Sequence, residues 1–243
     1  VLVSIPKRYQ ALSFRATYSY KDLLLIFVLK YFLGIKFIFI FHELHESFAH
    51  NYVARIKHHC LDILACKMAS LVLPISHYLT DFAKKYNENI ASLPIMYDYE
   101  RQYPFSQNCK KGLFSYCGTV TYIRIIRRII DVIKCVRIEY PQVEVNLIVS
   151  GNPTQIQKLI KEYEEDDFIH FYTGVSNQKL FKLYSESYGL LIPLDEKNLQ
   201  DKARFSQKIA EYISTKRPII TNSVGEIPYY FRDGENAFIM ESI

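Results

Sequence analysis

Short apolar runs alternate along this chain with stretches whose apolar residues recur every three or four positions. The first pattern suits a strand, the second a helix with one buried face. Strands are expected at residues 35–41, 71–75, 113–117, 143–149, 168–172, 188–193 and 218–221. Helices are expected at 51–70, from Ser76 or Thr80 to about 86, and at 123–140, 154–164, 177–186 and 205–215. Residues 118–122 read as a loop. The run 35–41 is apolar at almost every position, which predicts a strand buried on both faces. From about 97 to 111 the chain is polar, holds Pro104 and loses its periodicity, which marks a linker. Strand–helix alternation implies parallel sheets covered by helices. Two such series joined by a linker imply two α/β units, residues 1–96 and 112–243.

Residues 23–41 compete with that reading, because they are apolar enough to suggest a membrane span. Lys30 and Lys36 interrupt the run and Gly34 splits it. A helix ending near Phe32, a turn at Gly34 and a strand from 35 explain it better. No signal peptide is read at Val1. With 49% of its 243 residues hydrophobic, the chain is expected to fold rather than stay disordered. The net charge of +5 suits anionic partners such as nucleotides or lipid headgroups, but is too scattered to argue for nucleic acid. Five cysteines, odd in number and without a CxxC pair, read as reduced thiols in a cytoplasmic protein.

In doubly wound folds ligands gather beyond the carboxyl ends of the strands. Gly118-Thr119-Val120 follows the strand at 113–117, and Arg124 stands in the first turn of the next helix. A glycine there lets backbone approach a phosphate, and the helix N-terminus attracts it. Lys208 and Glu211 are three residues apart on one helical face. A cation there can offset phosphate charge, and a carboxylate can accept hydrogen bonds from ribose hydroxyls. On spacing alone, a plain turn at Gly118 and a surface ion pair at Lys208 and Glu211 explain these residues as well. Other chemistries fit less well. His42-Glu43-Leu44-His45 is one residue short of HExxH and follows a strand, so it does not read as a zinc site. His58-His59-Cys60 lies within one helix, where adjacent side chains diverge. The acidic run 164–167 reads as a solvated turn, and no GxGxxG follows any strand, which argues against a dinucleotide oxidoreductase.

The run from Lys208 to Thr221, followed by Gly225-Glu226-Ile227 and Asp233-Gly234-Glu235-Asn236-Ala237, resembles the donor-site region of retaining, GT-B-fold glycosyltransferases of the family 4 type, the glycosyl transferases group 1. Upstream, Gly118 to Arg124, Phe171-Tyr172-Thr173-Gly174-Val175 and Leu191-Ile192-Pro193 resemble the family's other second-domain segments in order and spacing. Phe41-His42-Glu43-Leu44-His45, Leu73-Pro74-Ile75-Ser76-His77 and Leu93-Pro94-Ile95 resemble its first domain more loosely. The chain departs from the pattern at Thr119, Ile125, Ala203, Ser206 and Arg217. Ala203 stands where a second family glutamate is common.

The resemblance implies an α/β GT-B fold: two Rossmann-like domains with parallel sheets facing across a cleft, at 1–96 and 112–243 and joined by the linker 97–111. It implies transfer of a sugar from a nucleotide diphosphate donor to a glycan or lipid-linked acceptor in cell-surface polysaccharide synthesis, with no metal and no cofactor. Glu211 would hold the donor ribose, and Arg124 and Lys208 would face the diphosphate beside Gly118. Gly174 and Val175 would border the base, and Gly225 and Glu226 would lie by the donor sugar or phosphates. His45 would stand near the reacting sugar, with His42 as the alternative register. The family's opening strand, glycine-rich acceptor loop and final helices have no counterpart here, so the chain reads as the middle of such an enzyme. A non-catalytic nucleotide- or sugar-binding module, or an inactive fragment, is the alternative. A cytoplasmic protein of this kind would meet the inner face of the membrane through Lys30, Lys36, Arg55 and Lys57.

Overall fold

The computed structural model describes residues 11–14, 19–49, 51–94 and 108–240, without the side chains of 11–14 and 48. Most of the linker expected at 97–111 lies outside them. The chain forms two compact units. The first holds residues 1–96 with two later segments, Asp195–Ser206 and Val224–Glu226, and the second holds the rest.

The first unit is built on a parallel sheet of β1 (Ala11–Phe14), β2 (Lys36–Phe41) and β3 (Leu71–Pro74), in the order β1-β2-β3. Helix α1 (Tyr20–Leu33) opens on a capping box between Ser19 and Asp22 and closes at Gly34, whose φ of 67° ends the helix in left-handed backbone. Helix α2 (Tyr52–Met68) is capped by Asn51, and α3 (His77–Lys84) by Ser76. Phe37, Phe39 and Phe41 of β2 are buried, as are Leu61, Leu79 and Phe82, and the Phe41 ring stacks on Phe39 and meets Phe82 edge-on. Ile38 and Ile40, on the other face of β2, are only partly covered among the described residues. Full burial on both faces, expected from the apolar run, is therefore not what the structure shows. A short helix, α7 (Leu199–Ala203), also belongs to this unit and was not expected. No helix among the described residues is long and apolar enough to cross a membrane.

The second unit carries a six-stranded parallel sheet. Its strands are β4 (Lys110–Thr119), β5 (Glu144–Ser150), β6 (Ile169–Tyr172), β7 (Ser187–Ile192), β8 (Ile219–Asn222) and β9 (Phe238–Met240), in the order β6-β5-β4-β7-β8-β9. Between them lie α4 (Ile123–Glu139), α5 (Pro153–Glu162), α6 (Asn177–Glu186), α8 (Gln207–Ser214) and α9 (Ile227–Tyr230). The chain runs outward through β5 and β6, then returns to lay β7 on the other side of β4. That reversal makes the carboxyl edge between β4 and β7 the topological switch point, where α/β sheets leave a crevice for ligands. Strand β4 is longer at both ends than its apolar run, because β5 and β7 satisfy its backbone on both sides. Gly118 and Thr119 are therefore strand residues, and the following loop is a single 3-10 turn, Val120–Tyr122. The core between α4 and the sheet is closed by Ile126, Ile130, Val145 and Leu147, none more than 0% exposed.

Candidate active site

At the carboxyl edge of the second sheet, the first turn of α4 has no side-chain cap. The Ile123 N–H is already taken by the Val120 carbonyl, and what this end offers a ligand is the partial positive charge of the helix dipole. Arg124 is exposed in that turn and makes no ion pair among the described residues. Arg127, one turn on, donates to Glu162 at 2.8 Å, and the pair raises the guanidinium further and lowers the Glu162 carboxyl. Arg128 borders an apolar cavity of about 340 Å³ between α4 and the sheet, lined by Phe114, Ile129, Leu191 and Ile220 among others. Such walls cannot hold a diphosphate, which needs donors and cations. The neighbourhood of Gly118 is already filled: a Cβ at this position would overlap the Tyr116 ring. Packing under Tyr116 thus requires a small residue there, whatever the backbone offers a phosphate.

Helix α8 brings Lys208 and Glu211 to the same edge. The backbone N–H of Cys117 in β4 donates to the Tyr212 hydroxyl at 3.1 Å, which ties α8 to the end of that strand. The Tyr212 ring meets Tyr184 edge-on with centroids 4.8 Å apart. Burial pushes the Glu211 carboxyl up, while Lys208 and Tyr184 oppose the shift. Burial likewise raises the Cys117 thiol, opposed by Tyr184 and Lys208, and raises the phenols of Tyr184 and Tyr212. The Tyr184 hydroxyl is buried beside Glu211 and Cys117, and its interaction with the carboxylate is one of the influences that hold the Glu211 value down. A half-desolvated carboxylate of this kind gains from hydroxyl donors that replace its lost water.

Gly174 and Val175 follow β6, two strands from β4, or about 10 Å at the usual strand spacing. Gly174 has a φ of 60° and open space around it. Lys208 and Glu211 thus lie beside Cys117, next to Gly118 near the end of β4, Arg124 begins the helix that follows that strand, and Gly174 and Val175 lie further along the edge.

The remaining candidates lie in the first unit, where two buried carboxylates each clamp one histidine in the same way. Asp62 of α2, 0% exposed, accepts from the His45 backbone N–H at 2.9 Å and from its Nδ1 at 2.7 Å. Glu226 accepts from the His77 backbone N–H at 2.8 Å and its Nδ1 at 2.9 Å. A carboxylate on Nδ1 sets the neutral ring as the Nδ1–H tautomer and keeps Nε2 as the acceptor nitrogen. His58 Nδ1 lies 2.9 Å from the His45 carbonyl, and His59 lies 3.3 Å from Glu46. His42 follows β2 directly and is partly buried. Arg204 pairs at 3.7 Å with both Glu43 and Asp201. Asp62 also adds to the burial that pushes the Cys66 thiol up to about 12, so that thiol stays protonated.

The sequence reading did not single out Asp62, His77, Cys117, Tyr184 or Tyr212 as parts of a site. Asp62 did carry a signal: a lone acid among Leu61, Ile63, Ala65 and Cys66 in a buried helical stretch. Glu226, expected at the donor, has both carboxylate oxygens on His77. Gly225 beside it has a φ of 61°, and a Cβ there would stand 2.5 Å from the Asp201 carbonyl oxygen. Gly225→Ala should therefore cost at least about 2 kcal/mol of stability, read as a lower melting temperature. An unchanged melting temperature would mean that this turn is not held as described.

Comparison with known proteins gives the family and the fold. The family model described as Glycosyl transferases group 1 matches residues 112–242, more than half of the chain. None of the curated proteins matches. Among solved structures, the pneumococcal O-GlcNAc transferase GtfA in complex with UDP and GlcNAc superposes with a TM-score of 0.65 at 15% identity, over 89% of this chain and 43% of that one. Anabaena HepE in complex with UDP and glucose gives 0.68 at 15% identity, over 95% and 64%. The sucrose-phosphate synthase of Thermosynechococcus elongatus gives 0.68 at 14% identity, over 96% and 60%. The chain thus spans less than two thirds of the length of each of these proteins, and its α/β fold with parallel sheets is similar to theirs.

Proposed function

We propose, from the premise that the chain belongs to the glycosyl transferases group 1 family, that it takes part in transferring a sugar from a nucleoside diphosphate donor to a glycan or lipid-linked acceptor. What supports this reading is that Lys208 and Glu211 of α8 lie beside Cys117 near the end of β4, and that Arg124 stands in the first turn of α4, the helix that follows β4. Glu211 takes the ribose hydroxyls, and Arg124, Lys208 and the α4 amides meet the diphosphate. Gly174 and Val175 border the base. These side-chain cations do the charge work, so the reaction proceeds without a metal or cofactor. As the bond from the anomeric carbon to the diphosphate breaks, the growing negative charge on the leaving group is stabilised by groups already in place. The acceptor hydroxyl then bonds to the anomeric carbon on the same face and passes its proton to the departing diphosphate oxygen, which retains the configuration. His45, held by Asp62, stands near the reacting sugar, with His42 as its alternative; Gly225 lies by the donor. The five free cysteines fit a reducing, cytoplasmic setting, and the setting we infer for the reaction is the synthesis of cell-surface polysaccharide.

A specific test is the pH dependence of nucleotide binding. The Glu211 carboxyl sits above its ordinary range. Its folded value is higher than its unfolded one, so its contribution to stability is present at acid pH and is lost as the pH rises through the folded value. Binding runs the other way, because ribose hydroxyls favour the ionised form. Affinity for the nucleoside diphosphate should fall as the pH drops through the raised Glu211 value. Glu211→Gln should flatten that dependence, weaken binding by about 1.5–3 kcal/mol for each lost bond to the charged group, and stabilise the free protein at neutral pH. Calorimetric titration across pH would decide. The same pH slope in the Gln variant would remove Glu211 from the site.

A second reading is a nucleotide- or sugar-binding module that does not transfer. Ala203 favours it, because it stands where the family often has a glutamate and its buried methyl offers a donor no acceptor. Donor binding without release of nucleoside diphosphate in the presence of acceptor would select it.

A further inference from the structure

Helix α1 is apolar around its whole circumference, a composition that normally belongs in a core or a lipid environment. Only Leu23 and Ile26 of it are buried. Leu24, Leu25, Phe27, Val28, Tyr31 and Phe32 are exposed, Phe32 to 75%. At 3.6 residues per turn these six fall within one arc of about 160°. The helix is capped at both ends, so this is a complete helical face and not a frayed terminus.

Charge is segregated around the face. Lys21 falls within the same arc at its N-terminal end, whereas Asp22, the one carboxylate of the helix, falls outside it and is held by Ser19. The neighbouring start of α2 adds exposed Tyr52 and Val53, with Lys57 beside them and Arg55, which pairs with Glu46 at 3.7 Å. The two helices are joined there: the Tyr20 hydroxyl donates to the Lys57 carbonyl at 3.1 Å, and the Lys57 ammonium lies 5.6 Å from the Tyr20 ring centroid. Lys30, which charge alone would assign to headgroups, is turned inward and donates to the Met68 carbonyl at 2.8 Å.

We propose that this face of α1 docks the protein on an anionic lipid bilayer, with the helix lying in the interface. The 14 residues of α1 rise about 21 Å, short of a hydrocarbon core of about 30 Å. An apolar face with tyrosines and cations at its border suits the headgroup boundary. A second copy of the chain fits less well. Two-fold pairing on this face would bring the cations of two copies, Lys21 and Lys57 among them, to one seam with no carboxylate in the α1 arc to meet them, whereas anionic headgroups would neutralise them.

The test is flotation of the whole chain with vesicles of equal parts phosphatidylglycerol and phosphatidylcholine, against vesicles of phosphatidylcholine alone. Binding is expected to the first and not the second, and to weaken with added salt. Phe32→Ser and Leu25→Ser should each reduce it about tenfold, with circular dichroism unchanged. The pair Lys21→Glu and Lys57→Glu should abolish the preference for anionic vesicles without altering apolar surface. Equal binding to both vesicle types, or none to either, overturns the proposal. So does a concentration-dependent dimer, seen by sedimentation, that Phe32→Ser breaks. None of these readouts depends on sugar transfer, so the docking and the transferase readings fail separately.

Discussion

Replacing Arg124 by alanine should lower turnover about 100-fold in the intact enzyme, the usual scale for one lost donor to a developing charge. Arg127→Ala and Arg128→Ala should cost far less, although all three residues share α4. Position and commitment separate them. Arg124 alone stands in the first turn, where the positive end of the helix dipole lies just beyond the carboxyl end of β4. Arg127 is engaged with Glu162, and Arg128 borders apolar walls one turn further from the edge. An ion that offsets leaving-group charge acts mainly in the transition state, so kcat should fall more than KM rises. Arg124 does share a shallow outward depression with Arg127, Arg128 and Asp131. Steady-state kinetics on the three variants therefore discriminates. Equal losses would mean that this turn of α4 faces solvent and not the donor.

Asp62→Ala should destabilise the protein by about 2–6 kcal/mol, since two part-buried N–H groups of His45 lose their acceptor at about 1–3 kcal/mol each. Asp62→Leu should be nearly as damaging, because an apolar side chain fills the space but accepts nothing. If the leucine variant melts like the wild type, the carboxylate is a filler and the clamp has no weight. Asp62→Asn keeps one acceptor and should fold. It no longer offers both His45 groups a carboxylate oxygen, so the ring's tautomer is released. Lower kcat in that variant, with donor binding intact, would support the proposed place of His45 at the reacting sugar.

Which parts of this could be read from the chain depends on how local each signal is. The helix ending at Gly34 and the strand from Lys36 were legible because a left-handed glycine and two lysines are short-range features. The repeated strand–helix order announced parallel sheets, and the paired Lys208 and Glu211 announced a polar helix face. Strand β9, helix α7 and the short α9 were not legible. Each is too brief to show a period, and β9 exists only because β8 offers it a parallel edge. The site divided along the same line. Cys117, Tyr184 and Tyr212 look like core residues in sequence, and only the alignment of β4 with α6 and α8 sets them around Glu211. The Asp62–His45 and Glu226–His77 clamps link residues 17 and 149 positions apart, which no local pattern encodes.

The claim that most depends on all of this is that the chain holds a nucleoside diphosphate sugar. Its most direct test is a calorimetric panel of such donors, with the matching free nucleoside diphosphate as competitor and Lys208→Ala as control. Saturable binding of at least one donor, displaced by its own nucleoside diphosphate and lost in Lys208→Ala, is expected. Absence of binding across the panel, or binding that survives Lys208→Ala unchanged, would contradict it.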